Sequence, residues 1–191
     1  MIQFEVYAPN YHHNNGHDYR VIHNVDIQKM RRQRQIPCGP CGTMHDYVAF
    51  YFGPHSPMLL QLHTGRVGDY HEGQRPLIYT VSTVEAIARA NLDFVFSDGH
   101  GIVAFTQWFD NFSFLTKIDW EMVYADYWAD TVDDMDRQRR KQAEFLVYRF
   151  CPWHVVNRIC VLNGDVKQMV EAILERQNIS MPVEIRPKWY Y

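Results

Sequence analysis

Long apolar runs are missing from this chain of 191 residues; none approaches the ~20 residues that a membrane-spanning helix needs. The N-terminus has no signal-peptide pattern, because Glu5 and the His/Asn-rich run after it interrupt any apolar segment. Cysteine is scarce. Four cysteines are too few for a disulfide scaffold at this size, so reduced thiols are expected. These absences predict a cytoplasmic protein without a membrane partner. Bulk positive charge is absent as well: the net charge is −3 with ten neutral histidines, whereas a general nucleic-acid coating protein is usually basic. There is no P-loop, no G-x-G-x-x-G and no G-x-S-x-G, which leaves the common phosphate-cradle and hydrolase classes without support. Without a repeat, a low-complexity tract or a Pro/Ser-rich linker, residues 1–191 are expected to form one domain.

What is present is apolar and aromatic. The chain is 47% hydrophobic and 15% aromatic, so it is globular, and long enough for a substantial core. "DIQKMRRQR" is helix-compatible and stops before Pro37, and "IPCGPCGT" is a loop punctuated by prolines and glycines. "DYVAFYF", "PLIYTVS" and "DFVFSD" read as strands. "HSPMLLQLHTG" carries helix signals, with Ser56 as N-cap, Pro57 at the first helical position and Gly65 beyond the end. "STVEAIARA" opens with a capping box, Ser82 and Glu85, and "DWEMVYADYWAD" with Asp119 as N-cap. "NRICVLN", the amphipathic "GDVKQMVEAILERQ" and "PVEIRP" follow. Strands and helices alternate without a steady βαβ rhythm, which predicts an α+β fold.

Positive charge is local. Lys29, Arg31, Arg32 and Arg34 cluster in "KMRRQR", and Arg137, Arg139, Arg140 and Lys141 in "RQRRK". Each can be a solvated helix face, and each leaves room for a phosphate-bearing partner. Cys38 and Cys41 form a C-x-x-C with no second half for a zinc site and no βαβ context for a redox motif. His12, His13 and His17 lie in "YHHNNGHD", whose flexible flanks do not preorganise ligands. No metal is expected.

One residue stands out. "KQAEFLVYRFCPW" reads as a strand in which Glu144 shares a face with Leu146, Tyr148 and Phe150, while Ala143, Phe145 and Val147 line the other. Neither face looks solvated. An edge-strand carboxylate paired with Arg149 or another base is the structural explanation. The functional one is a catalytic carboxylate with a cationic or hydroxyl partner.

The strings "LHTGR", "MHDYVAFYFGPHSPML", "DFVFSDGHG", "KIDWE" and "KQAEFLV" resemble the DarT toxins, DNA ADP-ribosyltransferases of toxin–antitoxin systems. The phrase from His45 to Leu59 is the most specific, and the similarity runs from about Tyr19 to "RPKWYY". The resemblance implies an ADP-ribosyltransferase-like mixed fold with two small sheets and flanking helices. It implies NAD as co-substrate, transfer of ADP-ribose to a thymidine base in single-stranded DNA, and a macrodomain antitoxin as partner. By position it makes Glu144 and Arg31 catalytic, with Arg32 as the alternative register. It places Arg31, Ile27, Tyr19 and Tyr51 against NAD, and Met58 and His100 against DNA. The segment from His100 to Glu144 corresponds to the family's substrate-recognising loop region, where Arg137, Arg139 and Arg140 are expected on phosphates. Unpaired bases stack on aromatic side chains, and Tyr127, beside the polar segment, is the exposed candidate; Trp108 and Trp120 are expected in the core. Departures from the family pattern are Ala49 in place of a proline, His55 before "SPML", and no H-I-x-N-L-type helix ahead of "MIQFEVYAPN". A chain without that leading segment is expected to hold NAD weakly. A catalytically weak nucleic-acid-binding module is the alternative function, and an NAD-dependent transferase acting on protein the third.

Overall fold

The computed structural model describes residues 5–12 and 21–191. The elements in chain order are β1 (Glu5–Tyr7), α1 (Val25–Gln33), β2 (Tyr47–Tyr51), α2 (Pro57–His63), β3 (Tyr79–Val81), α3 (Val84–Arg89), β4 (Phe94–Ser97), β5 (Trp108–Phe109), α4 (Trp120–Tyr124), α5 (Arg137–Lys141), β6 (Glu144–Tyr148), β7 (Phe150–Pro152), β8 (Arg158–Val161), α6 (Gly164–Arg176) and β9 (Val183–Ile185). Short 3-10 turns join several of them. None of the described helices is long and apolar enough to cross a membrane.

Side-chain caps start most of the helices. Asn24 accepts from the Asp26 and Ile27 amides at α1, Ser56 from Leu59 at α2, Asp119 from Met122 at α4 and Asn163 from Val166 at α6. Each removes an orphan donor of the first turn. At α3 the expected cap is one residue out. Thr83 caps by accepting from the Ala86 amide, and Ser82 instead donates to the Val155 carbonyl at 2.7 Å. Both residue types cap well, and the tertiary hydrogen bond decides between them.

The strands form three sheets among the described residues. The largest is antiparallel, in the order β2-β6-β4-β5. The second has the order β3-β8-β9, antiparallel between β3 and β8 and parallel between β8 and β9. These are the two sheets expected, and β1 and β7 add a two-stranded ribbon. On the second sheet, α6 lays Val166, Val170 and Leu174 against Ile159, Val161 and Val183.

β6 is an inner strand, with β2 on one side and β4 on the other. Leu146 packs with Ile36, Met44, Tyr47 and Val95, while Phe145 and Val147 join Val48, Phe96 and Ile118 in a separate cluster. Burial on both faces explains why the strand is apolar at nearly every position. The edge-strand explanation of Glu144 is therefore incorrect, and so is its pairing with Arg149. Arg149 takes a positive φ of 63° between β6 and β7, and its guanidinium lies over the rings of Tyr11 and Tyr148.

Between β4 and β6 the chain makes a long excursion, 98–143, that carries most of its arginine–aspartate pairs. Its C-terminal end is pinned by Lys141. That side chain is buried, and Nζ donates to the carbonyls of Val123 and Ala125, both at 2.8 Å. Burial pulls the ammonium down to about 8, with Asp126 opposing. Above about pH 8 the folded chain then releases a proton that the unfolded chain keeps until about 10.4. Stability contributed by this group thus rises with pH across that window. Urea titrations near both ends of the window should show the rise in the natural chain, and Lys141→Met should flatten it.

Candidate active site

Glu144 is the first residue of β6, directly opposite Tyr51 in the β2–β6 register. It is only 3% exposed. A carboxylate so placed needs a cationic partner, and α1 supplies one. Arg31, in the last turn of α1, donates from Nη1 to Oε1 at 2.9 Å and to Oε2 at 2.8 Å. Both side chains are largely buried, at 11% and 4% exposure. It is Arg31, not Arg32, that meets the carboxylate.

The surroundings are built from backbone. The Gly101 amide lies 3.4 Å from Glu144 Oε1. The Glu144 amide donates to Ser97 Oγ at 3.3 Å, and that hydroxyl donates to the Gly99 carbonyl at 2.7 Å. Arg34, one turn beyond Arg31, donates from Nε to the Gly101 carbonyl at 3.0 Å and from Nη2 to the Val103 carbonyl at 3.2 Å. So the end of α1 and its cap deliver two arginines, one to the carboxylate and one to the loop that faces it. Gly99 must be glycine for steric reasons, since a Cβ there would sit 2.8 Å from the Arg139 carbonyl oxygen.

Neutral polar groups surround the pair. Burial lowers the pKa of His100, Glu144 opposing and Arg31 reinforcing the shift, so the imidazole is uncharged near neutrality. Enclosure of its hydroxyl, and then the Glu144 charge, push the Tyr51 phenol upward. His45 is buried with Nε2 on Gln28 Oε1 at 3.0 Å; burial, then Arg31 and Arg32, lower its pKa.

The other expected site residues fall in several places. Ile27 is half-buried on α1, one turn before Arg31. Tyr51 and Met58 line one cavity of about 620 Å³, together with Phe50, Tyr79, Trp120 and Tyr124. Tyr19 lies outside the described residues. Tyr127 is 68% exposed, and Trp120, expected in the core, is 38% exposed. The basic cluster is engaged internally. Arg137 donates to the Tyr127 and Ala129 carbonyls, Arg139 pairs with Asp98 and Asp136, and Arg140 with Asp119 and Asp134. Arg139 and Arg140 hold the excursion together, and their charge is already met by carboxylates.

Sequence reading had no role for Arg34, Ser97, Gly99 or Gly101. The i, i+3 spacing of Arg31 and Arg34 was the available signal, because it puts both on one helix face. Cys38 and Cys41 are free thiols, and burial pushes Cys38 up to about 11, against nucleophilic use. Among the described residues, no three His, Cys, Asp or Glu side chains are grouped to hold a metal ion.

The mixed fold is that of an ADP-ribosyltransferase, and the buried Arg–Glu pair lies at the head of one of its inner strands. Residues 1–191 match the family model described as "ssDNA thymidine ADP-ribosyltransferase, DarT", and the chain belongs to that family. A curated relative, the DNA ADP-ribosyl transferase of Thermus aquaticus, is 41% identical over 167 residues, covering 86% of this chain and 72% of its own. The solved structure of Thermus sp. 2.9 DarT in complex with ADP-ribosylated ssDNA superposes with a TM-score of 0.89 at 37% identity, covering 98% of this chain and 87% of that one. The same protein in complex with NAD+ gives 0.86 at 35% identity, with coverages of 98% and 88%.

Arg34→Ala should release the Gly101 and Val103 carbonyls. Hydrogen exchange should then accelerate selectively at residues 99–106, while the melting temperature falls by only a few degrees, as for the loss of a few hydrogen bonds of ~1 kcal/mol each.

Proposed function

We propose that this chain cleaves NAD at its nicotinamide–ribose bond and transfers ADP-ribose to a thymidine base of single-stranded DNA, with Glu144 and Arg31 as the catalytic pair. The observation that carries this reading is the Arg31–Glu144 contact at the head of β6. A carboxylate on an inner strand is held in register better than one on a loop. It can accept a hydrogen bond from a ribose hydroxyl and stabilise the oxocarbenium-like charge that grows as nicotinamide leaves with the bonding electrons. The thymine ring nitrogen then forms the new bond to C1′ and gives up its proton. A guanidinium is a poor base, so Arg31 orients and stabilises anionic oxygens through its planar fork, and Glu144 accepts the proton.

Other parts of the reading rest on position. Ile27, on the Arg31 helix, and Tyr51, opposite Glu144, suit the NAD side. Met58, His100 and Tyr127 suit the DNA side. That Tyr51 and Met58 line one cavity supports putting those two surfaces side by side. Residues 1–191 act as one catalytic domain in the cytoplasm, as a toxin whose partner is a macrodomain antitoxin. No metal takes part. The alternative, a binding module with weak catalysis, has less support, because the Arg–Glu pair is intact and buried.

The test is mass spectrometry of thymidine-bearing oligonucleotides after incubation with NAD. A gain of one ADP-ribose on thymidine is expected. Glu144→Gln keeps size but removes charge, and should cut transfer by about 10²-fold or more with the fold retained. Near-normal turnover by the folded variant would remove Glu144 from the chemistry.

A further inference from the structure

We infer that Phe105 is a fixed stacking platform for a nucleobase adjoining the target thymidine. The inference rests on the reading above, that the substrate is single-stranded DNA.

Phe105 is 67% exposed, yet it sits in a loop with little freedom. Residues 98–107 are closed at their base by Asp98, which accepts from the Gln107 amide at 2.9 Å and donates its own amide to the Gln107 carbonyl at 3.2 Å. The His100 carbonyl accepts from the Val103 amide at 3.0 Å and from Thr106 Oγ1 at 2.8 Å. From outside the loop, Arg34 holds the Gly101 and Val103 carbonyls, and the His100 amide donates to the Arg139 carbonyl at 2.9 Å. The same loop meets the catalytic carboxylate through Gly101. The ring is therefore carried on a rigid support, four residues from the amide that faces Glu144.

An exposed phenyl ring gains nothing from water, and a mobile one would fold back onto apolar neighbours. Here the Arg139 guanidinium carbon lies 5.0 Å from the ring centroid. That guanidinium is engaged by Asp98 and Asp136, so it supports the ring without offering a free cation to a phosphate. What the loop presents toward solvent is thus an aromatic surface rather than a charge. Every base has a π-face, and an unpaired one can slide onto such a ring, contributing about tenfold to a hundredfold in affinity. A base inside a duplex has both faces covered by its neighbours. The ring would accordingly favour single strands over duplex DNA without reading sequence.

The experiment uses single-stranded oligonucleotides with one target thymidine and an abasic residue placed at each flanking position in turn. Steady-state transfer is measured for the natural chain, Phe105→Ala, Phe105→Leu and Phe105→Trp. Ala and Leu should raise KM for the intact strand about tenfold, and Trp should retain the natural value. One abasic position should raise KM of the natural chain by a similar factor and have no further effect on Phe105→Ala, the non-additivity of two groups in contact. Fully additive penalties, an unchanged KM in Phe105→Ala, or a loss confined to kcat would each overturn the inference. Because the ring is exposed, all variants should melt within a few degrees of the natural chain. Equilibrium binding of the same strands without NAD, read by fluorescence anisotropy, judges Phe105 independently. If the natural chain transfers nothing, the catalytic reading falls, while the binding series still decides whether the ring holds a base.

Discussion

The buried contact between Arg31 and Glu144 is the constraint to which the rest of the structure answers. A carboxylate at 3% exposure, on the central sheet, cannot stand alone. Removing one partner of such a pair leaves an uncompensated charge, at about 3–5 kcal/mol. The fold meets this demand by bringing the Arg31 side chain, from the last turn of α1, to the head of β6. It adds a loop whose backbone approaches the carboxylate at Gly101. A core made for stability alone would do as well with an apolar residue there. On the function proposed above, the retained charge is what lets the site act on a developing cation.

The second arginine cluster follows a different logic. Arg139 and Arg140 pair with Asp98, Asp119, Asp134 and Asp136, which are scattered over the long excursion between β4 and β6. Ile118 and Val123 tie this excursion to the main core, and ion pairs and lysine-to-carbonyl bonds shape the polar remainder. Arg139 and Arg140 are thus neutralised from within, while Phe105 and Tyr127 are left as exposed rings.

A large part of this was legible in the sequence. Ser56 and Asp119 cap the helices they precede, and the strand around Glu144 has two buried faces, as its unbroken apolar run implied. The order of strands was not legible, because alternation says which way a side chain points but not which strand lies beside it. Glu144 therefore read equally well as an edge carboxylate beside Arg149. Family resemblance singled out both Arg31 and Glu144, but their contact was not legible, since 113 residues separate the two partners and no local pattern links them. The carboxylates that hold Arg139 and Arg140 were missed for a similar reason: Asp134 and Asp136 lie within a few residues, but Asp98 and Asp119 come from far along the chain, and which arginine each serves depends on how the excursion folds back. Ser82 and Thr83 differ by one position and by almost no intrinsic preference, so only a tertiary hydrogen bond separates them.

The spacing of Arg31, in the last turn of α1, and Arg34, the residue that caps it, carries a consequence for how this segment can vary. Three helical steps bring the two side chains back to nearly the same face, about 4.5 Å apart along the axis. One inserted or deleted residue between them would swing the second by about 100°. The loop at 98–107 would then lose its outside anchor, although every catalytic residue type would still be present. Length changes can accumulate freely in exposed turns before or after the helix, but not inside the four-residue interval. The partner of the buried carboxylate and the anchor of the loop that faces it are thus tied together within one short segment.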